Sequence, residues 1–319
     1  MKYFLREILL FVIMFLSIAV VGDIVVSRGL RKTTIRPFAV WNDLYNDNNL
    51  NNDLVFIGAS SCWSSYSPMI FDSMLNISTY NLGIDGHVWY PCQPLRYYTY
   101  LRYAIKKPKY IVINIDMGTF GTMKEPMYDR EQFFPYFWLD DSLVSQVKDM
   151  KNFTLMERYC PIWRYVGYRK WIEVGMASSF GKEHFEDDGL YKGYRGEYSK
   201  WDRASLNTMD SVIIEYESAY VDSLLQFIAL CRAEGQKVVL VKNPVYHELQ
   251  ERFTNRDEMR IRYDSIANVA GVELLDYWNH PIVHDTTYFV NSTHLNKKGS
   301  DLISVQLAHD LDSIGFIKR

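Results

Sequence analysis

Two short stretches near opposite ends of the chain carry the side chains best suited to acyl chemistry. Gly58-Ala-Ser60 follows the apolar run Leu54-Val-Phe-Ile57, and His294 sits in Phe289-Val-Asn-Ser-Thr-His-Leu-Asn-Lys-Lys-Gly299, ahead of the last helical pattern. A serine hydroxyl becomes a nucleophile when an imidazole takes its proton, so a Ser and a His brought to one sheet edge would suit ester hydrolysis or acyl transfer. Each residue also has a plain structural reading. Ser60 fits the N-cap of a following helix, and His294 fits a surface loop.

Bringing the two together requires a sheet whose loops share one edge. Apolar runs without polar alternation recur at Leu54–Ile57, Thr79–Asn81, Tyr110–Ile115, Lys237–Val241 and Val272–Leu275, which suits strands covered on both faces. Helical patterns lie between them at about 92–106, 208–234, 249–269 and 298–313, with Pro108, Gly235 and Gly271 as stops. The repeated βαβ order predicts a three-layer α/β/α domain with a parallel sheet of about five strands, whose ligand sits at the strands' C-terminal ends.

The composition supports such a core. The chain has 319 residues, 48% hydrophobic and 15% aromatic, which excludes a disordered or disulfide-scaffold protein. A net charge of −3 gives no basic field for nucleic acid. The aromatics are unevenly spread. A stretch at about 117–206 breaks the βαβ rhythm and is dense in Phe, Tyr and Trp, so it reads as an insertion whose rings mostly pack, with a pocket wall as the alternative.

The first thirty residues form a separate element. Ile8 to Val21 is apolar, followed by Gly22, Asp23 and a second patch at Ile24–Val26, which predicts an uncleaved membrane anchor, with a cleaved signal peptide as the rival. An acid in such a span must lie at the interface or face a partner. Arg28, Arg31, Lys32 and Arg36 follow the span and taken alone favour a cytoplasmic body. The expected division is an anchor over 1–30, a linker over 31–50 and one domain over 51–319. Cys62, Cys92, Cys160 and Cys231 lack zinc-type spacing. Buried thiols are the simpler reading; a Cys62–Cys92 bridge is the alternative for an exported body.

Over about 50–315 the chain resembles the SGNH/GDSL hydrolase superfamily. Gly58-Ala-Ser60 matches its first block, with Ala59 where Asp is common, and Asn81-Leu-Gly-Ile-Asp-Gly86 matches its second. Asn291-Ser-Thr-His294-Leu-Asn296 with Gly299 matches its fifth. The resemblance implies a flavodoxin-like sheet, Ser60 as nucleophile, His294 as base, and backbone N–H groups of Ser60 and Gly86 as the oxyanion hole. Two blocks depart. The third has Asp116-Met-Gly118-Thr in place of Gly-x-Asn-Asp, and Asn114 comes too early, within the strand. In the fifth, Asn291 replaces the acid that orients the histidine, a change that has cost about 10⁴ in a serine triad.

Other candidates are weaker. Asp285 is an alternative carboxylate for His294, while His87, Asp116 and Gly118 are possible pocket residues. A metal set of His280, His284, Asp285 and His294 is disfavoured by Pro281, so no metal or cofactor is expected. The resemblance implies a serine esterase or acyltransferase acting on an acylated, foremost O-acetylated, cell-envelope polysaccharide or a small ester. It also implies a periplasmic or extracellular body and possible pairing with a membrane-bound O-acyltransferase. The alternative is a catalytically silent envelope component that binds such a glycan or such a partner.

Overall fold

The computed structural model describes residues 1–46, 49–86, 88–122, 128–147, 153–182, 185, 189–208 and 210–318. The chain divides into two compact units, Met1–Asn46 with Glu125–Asp188, and Asp47–Lys124 with Gly189–Arg319.

The second unit is built on the five runs noted above. They form β1 (Leu54–Ile57), β2 (Thr79–Asn81), β3 (Tyr110–Asn114), β4 (Lys237–Lys242) and β5 (Leu274–Asp276), all parallel, in the order β2-β1-β3-β4-β5. Val55 pairs with Tyr80 on one side and Ile111 on the other, and Ile111 with Val238. Every side chain of β1 and β3 is buried, which is why these runs lack polar alternation. Helices Pro68–Leu75 and Lys297–Ser313 pack together. Ser218–Ala233 packs on β4 and Arg256–Ala270, and its Phe227 meets Tyr97 of helix Leu95–Tyr103 edge-on at 5.4 Å. These helices make the outer layers of a three-layer α/β/α architecture with flavodoxin-like strand order.

The first unit begins with one helix, Lys2–Leu30, that is long and apolar enough to cross a membrane. Its side chains are exposed or half-buried as far as Gly22, and Asp23 is 1% exposed. The partner that an acid there requires comes from the same chain. Asp23 is ion-paired with buried Arg164 and accepts from Ile162 N at 2.7 Å, while Ser27 Oγ lies 3.2 Å from its carboxylate and 2.8 Å from Tyr165 Oη. Helix Arg169–Ser179 crosses here at backbone contact. A Cβ on Gly29 would overlap Gly175 O, and one on Gly175 would come within 2.5 Å of Val26 O.

The segment read as a linker carries helix Ala39–Asn46, whose Trp41 donates from Nε1 to Gln132 Oε1 at 2.8 Å. Phe134 meets Phe153, Tyr165 and Tyr168 edge-on at 6.3, 5.7 and 5.3 Å, so much of the aromatic density is core. All four cysteines are free thiols. Cys62 and Cys92 are therefore unbridged, and burial pushes the Cys92 thiol up to about 12.

Candidate active site

β1 ends at Ile57 and the chain turns at once through Gly58. A Cβ there would lie 2.7 Å from Cys62 Cβ and 2.8 Å from Asn114 Cβ, so only glycine allows the turn to pass this close to β3. Ala59 is the N-cap of helix Ser60–Ser65 and makes no side-chain cap. Ser60 is thus the first helical residue rather than the cap. Its Oγ lies 2.8 Å from His294 Nε2.

The loop that presents His294 is held by a local turn. Phe289 and Leu295 form an antiparallel bridge, and Val290 N donates to His294 O at 2.9 Å. Asn291 Oδ1 accepts from the backbone N–H groups of Thr293 and His294, both at 3.0 Å, and from Thr293 Oγ1 at 3.1 Å. The same oxygen lies 3.0 Å from His294 Nδ1. Backbone N–H groups only donate, so the carbonyl face of the Asn291 amide is fixed toward the imidazole. Nδ1 then carries the proton, and Nε2 is left to accept from Ser60. Thr293 Oγ1 also lies 3.0 Å from Nδ1. Asp202 N donates to Val290 O at 2.7 Å and Tyr246 N to Ser292 O at 3.0 Å, tying the loop to two others.

The second loop is joined to the first. Ile84 N donates to Gly58 O at 2.9 Å, and Asn81 Nδ2 donates to Cys62 O and Tyr66 O, both at 3.0 Å. Gly86 has φ +63°, is exposed, and among the described residues nothing accepts its N–H. The Ser60 N–H, at the start of its helix, has no partner among the described residues either. His87 lies outside the described residues.

The third loop supports the first from below. Ser61 Oγ lies 2.6 Å from Asn114 Oδ1 and 2.7 Å from Asp116 Oδ2. Asn114 is the last residue of β3, fully buried, with Nδ2 3.3 Å from both Tyr66 Oη and Val241 O. It is locked into the sheet. Asp116 Oδ1 accepts from Gly118 N at 2.9 Å and Thr119 Oγ1 at 3.1 Å, so Asp116 and Gly118 form a turn whose reach to the site is through Ser61.

Asp285 is engaged elsewhere. Its carboxylate caps the 3-10 turn Thr286–Tyr288 through Thr287 N at 2.9 Å, and hydrogen bonds from Thr287 hold it below the ordinary carboxylate range. The Nδ1 position it was expected to contest is met by Asn291 and Thr293. Among the described residues no group of three or more His, Cys, Asp or Glu is placed to hold a metal. Thr293 and Ser61 carry no pattern of their own in the sequence beyond the turn chemistry of an Asn two residues before a Thr.

No protein-family model and no curated protein matches this chain. Among solved structures it is similar to a family two carbohydrate esterase from Clostridium thermocellum, at 12% identity, TM-score 0.41, over 84% of this chain and 66% of that one. It is also similar to a candidate acylhydrolase from Bacteroides fragilis, at 13% identity, TM-score 0.38, over 84% and 89%. A third is an acetyl xylan esterase from Butyrivibrio proteoclasticus, at 11% identity, TM-score 0.32, over 83% and 64%. The chain spans just under two thirds of the length of the first and third of these proteins.

Proposed function

We propose that the protein is a serine-dependent carboxylic ester hydrolase or acyltransferase of SGNH type. The observation that carries this reading is the Ser60 Oγ to His294 Nε2 distance of 2.8 Å, with Nδ1 of the same ring held at 3.0 Å by Asn291 Oδ1. Ser60 Oγ attacks the ester carbonyl carbon as its proton passes to Nε2, and the N–H groups of Ser60 and Gly86 receive the oxyanion. His294 returns the proton to the departing alcohol oxygen. Water then releases the acyl group from Ser60 in hydrolysis, or an acceptor hydroxyl takes it in transfer.

The substrate class we favour is an O-acetylated glycan of the cell envelope, met by a body held at the membrane on its outer side. An apolar N-terminal helix in the same chain as the Ser60–His294 pair supports this pairing. A purified full-length sample assayed on p-nitrophenyl acetate and labelled with a fluorophosphonate tests the reaction. Serine-dependent turnover with the label on Ser60 is expected, and the absence of both would remove the proposal. Release of acetate from acetylated envelope polysaccharide tests the substrate, and protease access to the body in intact cells tests its side.

Asn291 favours a second reading, a silent component that binds an acylated glycan or a membrane acyltransferase. A neutral amide cannot offset the charge of an imidazolium. Binding of acetylated polysaccharide with no turnover in either wild type or Asn291→Asp would favour that alternative.

A further inference from the structure

Along the N-terminal helix, full burial begins at Asp23, and beyond it Val26, Ser27, Gly29 and Leu30 are buried while Ile24 and Arg28 still face outward. The apolar stretch Ile8–Val21 rises about 20 Å at roughly 1.5 Å per residue, and the turns before it, which carry Lys2, Arg6 and Glu7, bring the exposed length to about 30 Å, a bilayer's hydrocarbon core with the charged end reaching the far headgroups. One residue later the helix meets the rest of the first compact unit. Ile162 donates its N–H to Asp23 Oδ2 at 2.7 Å, and its Cδ1 would lie 3.9 Å from a Cβ on Gly22.

Around this level the same unit exposes aromatic and aliphatic side chains. Trp163 follows Ile162 and is exposed. Arg164, paired with Asp23, has its guanidinium carbon 4.8 Å from the ring centroid of Trp138, and Trp138 and Leu139 are both exposed. Helix Leu155–Tyr159 packs on Trp163–Tyr165 and leaves Tyr159 74% exposed. Ser179 Oγ donates to Val25 O at 2.6 Å, and the next residue, Phe180, is 65% exposed. Exposed apolar groups gathered in this way call for cover.

We propose that these residues form a collar that seats in the headgroup and upper acyl region of the bilayer, fastening the first unit to the membrane by its surface as well as by its helix. Lipid is the occupant because the collar is continuous with the apolar helix at the depth where a span of this length ends, and because Trp and Tyr favour that interface. The proposal rests on reading Lys2–Val21 as a span.

The test uses full-length protein in phosphatidylcholine and phosphatidylglycerol vesicles. Cys62, Cys92 and Cys231 are buried, so Cys160→Ser clears the background for single labels. An environment-sensitive fluorophore is placed on Tyr159→Cys, Phe180→Cys, Ile13→Cys for the span, and exposed Ile261→Cys as the water reference. Labels at 159 and 180 are expected to shift to the blue, to be quenched by headgroup-level nitroxide lipids, and to resist iodide several-fold better than the label at 261. A lipid-buried label at 13 with labels at 159 and 180 as open to iodide as 261 overturns the collar alone, leaving that surface for a protein. A water-exposed label at 13 overturns the span and the collar together.

Discussion

Asn291 Oδ1 lies 3.0 Å from Nδ1 of His294 and 3.0 Å from the backbone nitrogen of the same residue. One carbonyl oxygen therefore both closes the turn and orients the ring. The loss of about 10⁴ seen when a triad acid becomes an amide comes with the wrong imidazole tautomer. Here the backbone donors keep the amide's NH₂ away from Nδ1, so the tautomer is retained and only the charge is lost. Asn291→Asp is accordingly expected to raise kcat on p-nitrophenyl acetate by roughly 10- to 100-fold, well short of that figure. Steady-state kinetics of the pair decide it, and an unchanged or lower kcat refutes the argument.

The two adjacent serines are predicted to separate cleanly. Ser60→Ala removes turnover and fluorophosphonate labelling and leaves the melting temperature near wild type. Ser61→Ala keeps the label but takes the hydroxyl away from buried Asn114 and from Asp116, at a cost of about 1–3 kcal/mol. Labelling stoichiometry and thermal melts on both variants make the comparison.

Thr293 is predicted to act as a positioning residue. Its hydroxyl lies 3.1 Å from Asn291 Oδ1 and 3.0 Å from His294 Nδ1. Thr293→Val should lower kcat by about 3- to 10-fold, the equivalent of one modest hydrogen bond, with KM unchanged. Thr293→Ser should restore it. A fall in stability with no change in kcat would leave Thr293 a purely structural role.

Lys242 and Asp276 are predicted to respond asymmetrically. Lys242 at the end of β4 is fully buried, 2.8 Å from Asp276 Oδ2 and 3.8 Å from the Trp278 ring centroid, and burial lowers its pKa. Asp276→Ala strands a buried ammonium and should cost about 3–5 kcal/mol, whereas Lys242→Met keeps the volume and should be nearly neutral. Urea unfolding of the two variants tests this, and equal losses would contradict it.

Much of the sheet was legible because it depends on local pattern. β1, β2, β3 and β4 lie where apolar runs without alternation place them, since strands covered on both faces need no polar side. Helix limits are less legible. The pattern at 208–234 yields helix only from Ser218 to Ala233, and the stretch from 249 becomes two helices, His247–Glu251 and Arg256–Ala270. Val212 N instead donates to Arg252 O at 2.8 Å and Thr254 N to Val212 O at 2.9 Å, a tertiary preference that outranks propensity.

At the site, the sequence by itself determined which residue types were present and where the chain could turn. Gly58, Ser60 and the Asn291-to-His294 turn were readable because turn chemistry and strand ends are properties of a few neighbouring residues. The resemblance already pointed to Ser60, His294 and Asn291; only the tertiary structure decided that Thr293 joins Asn291 at Nδ1 and that Asn114 and Asp116 serve Ser61. It also decided that Asp23 pairs with Arg164, far along the chain. Such choices follow from which buried polar groups can find a partner once the core has closed, and a linear pattern does not record them.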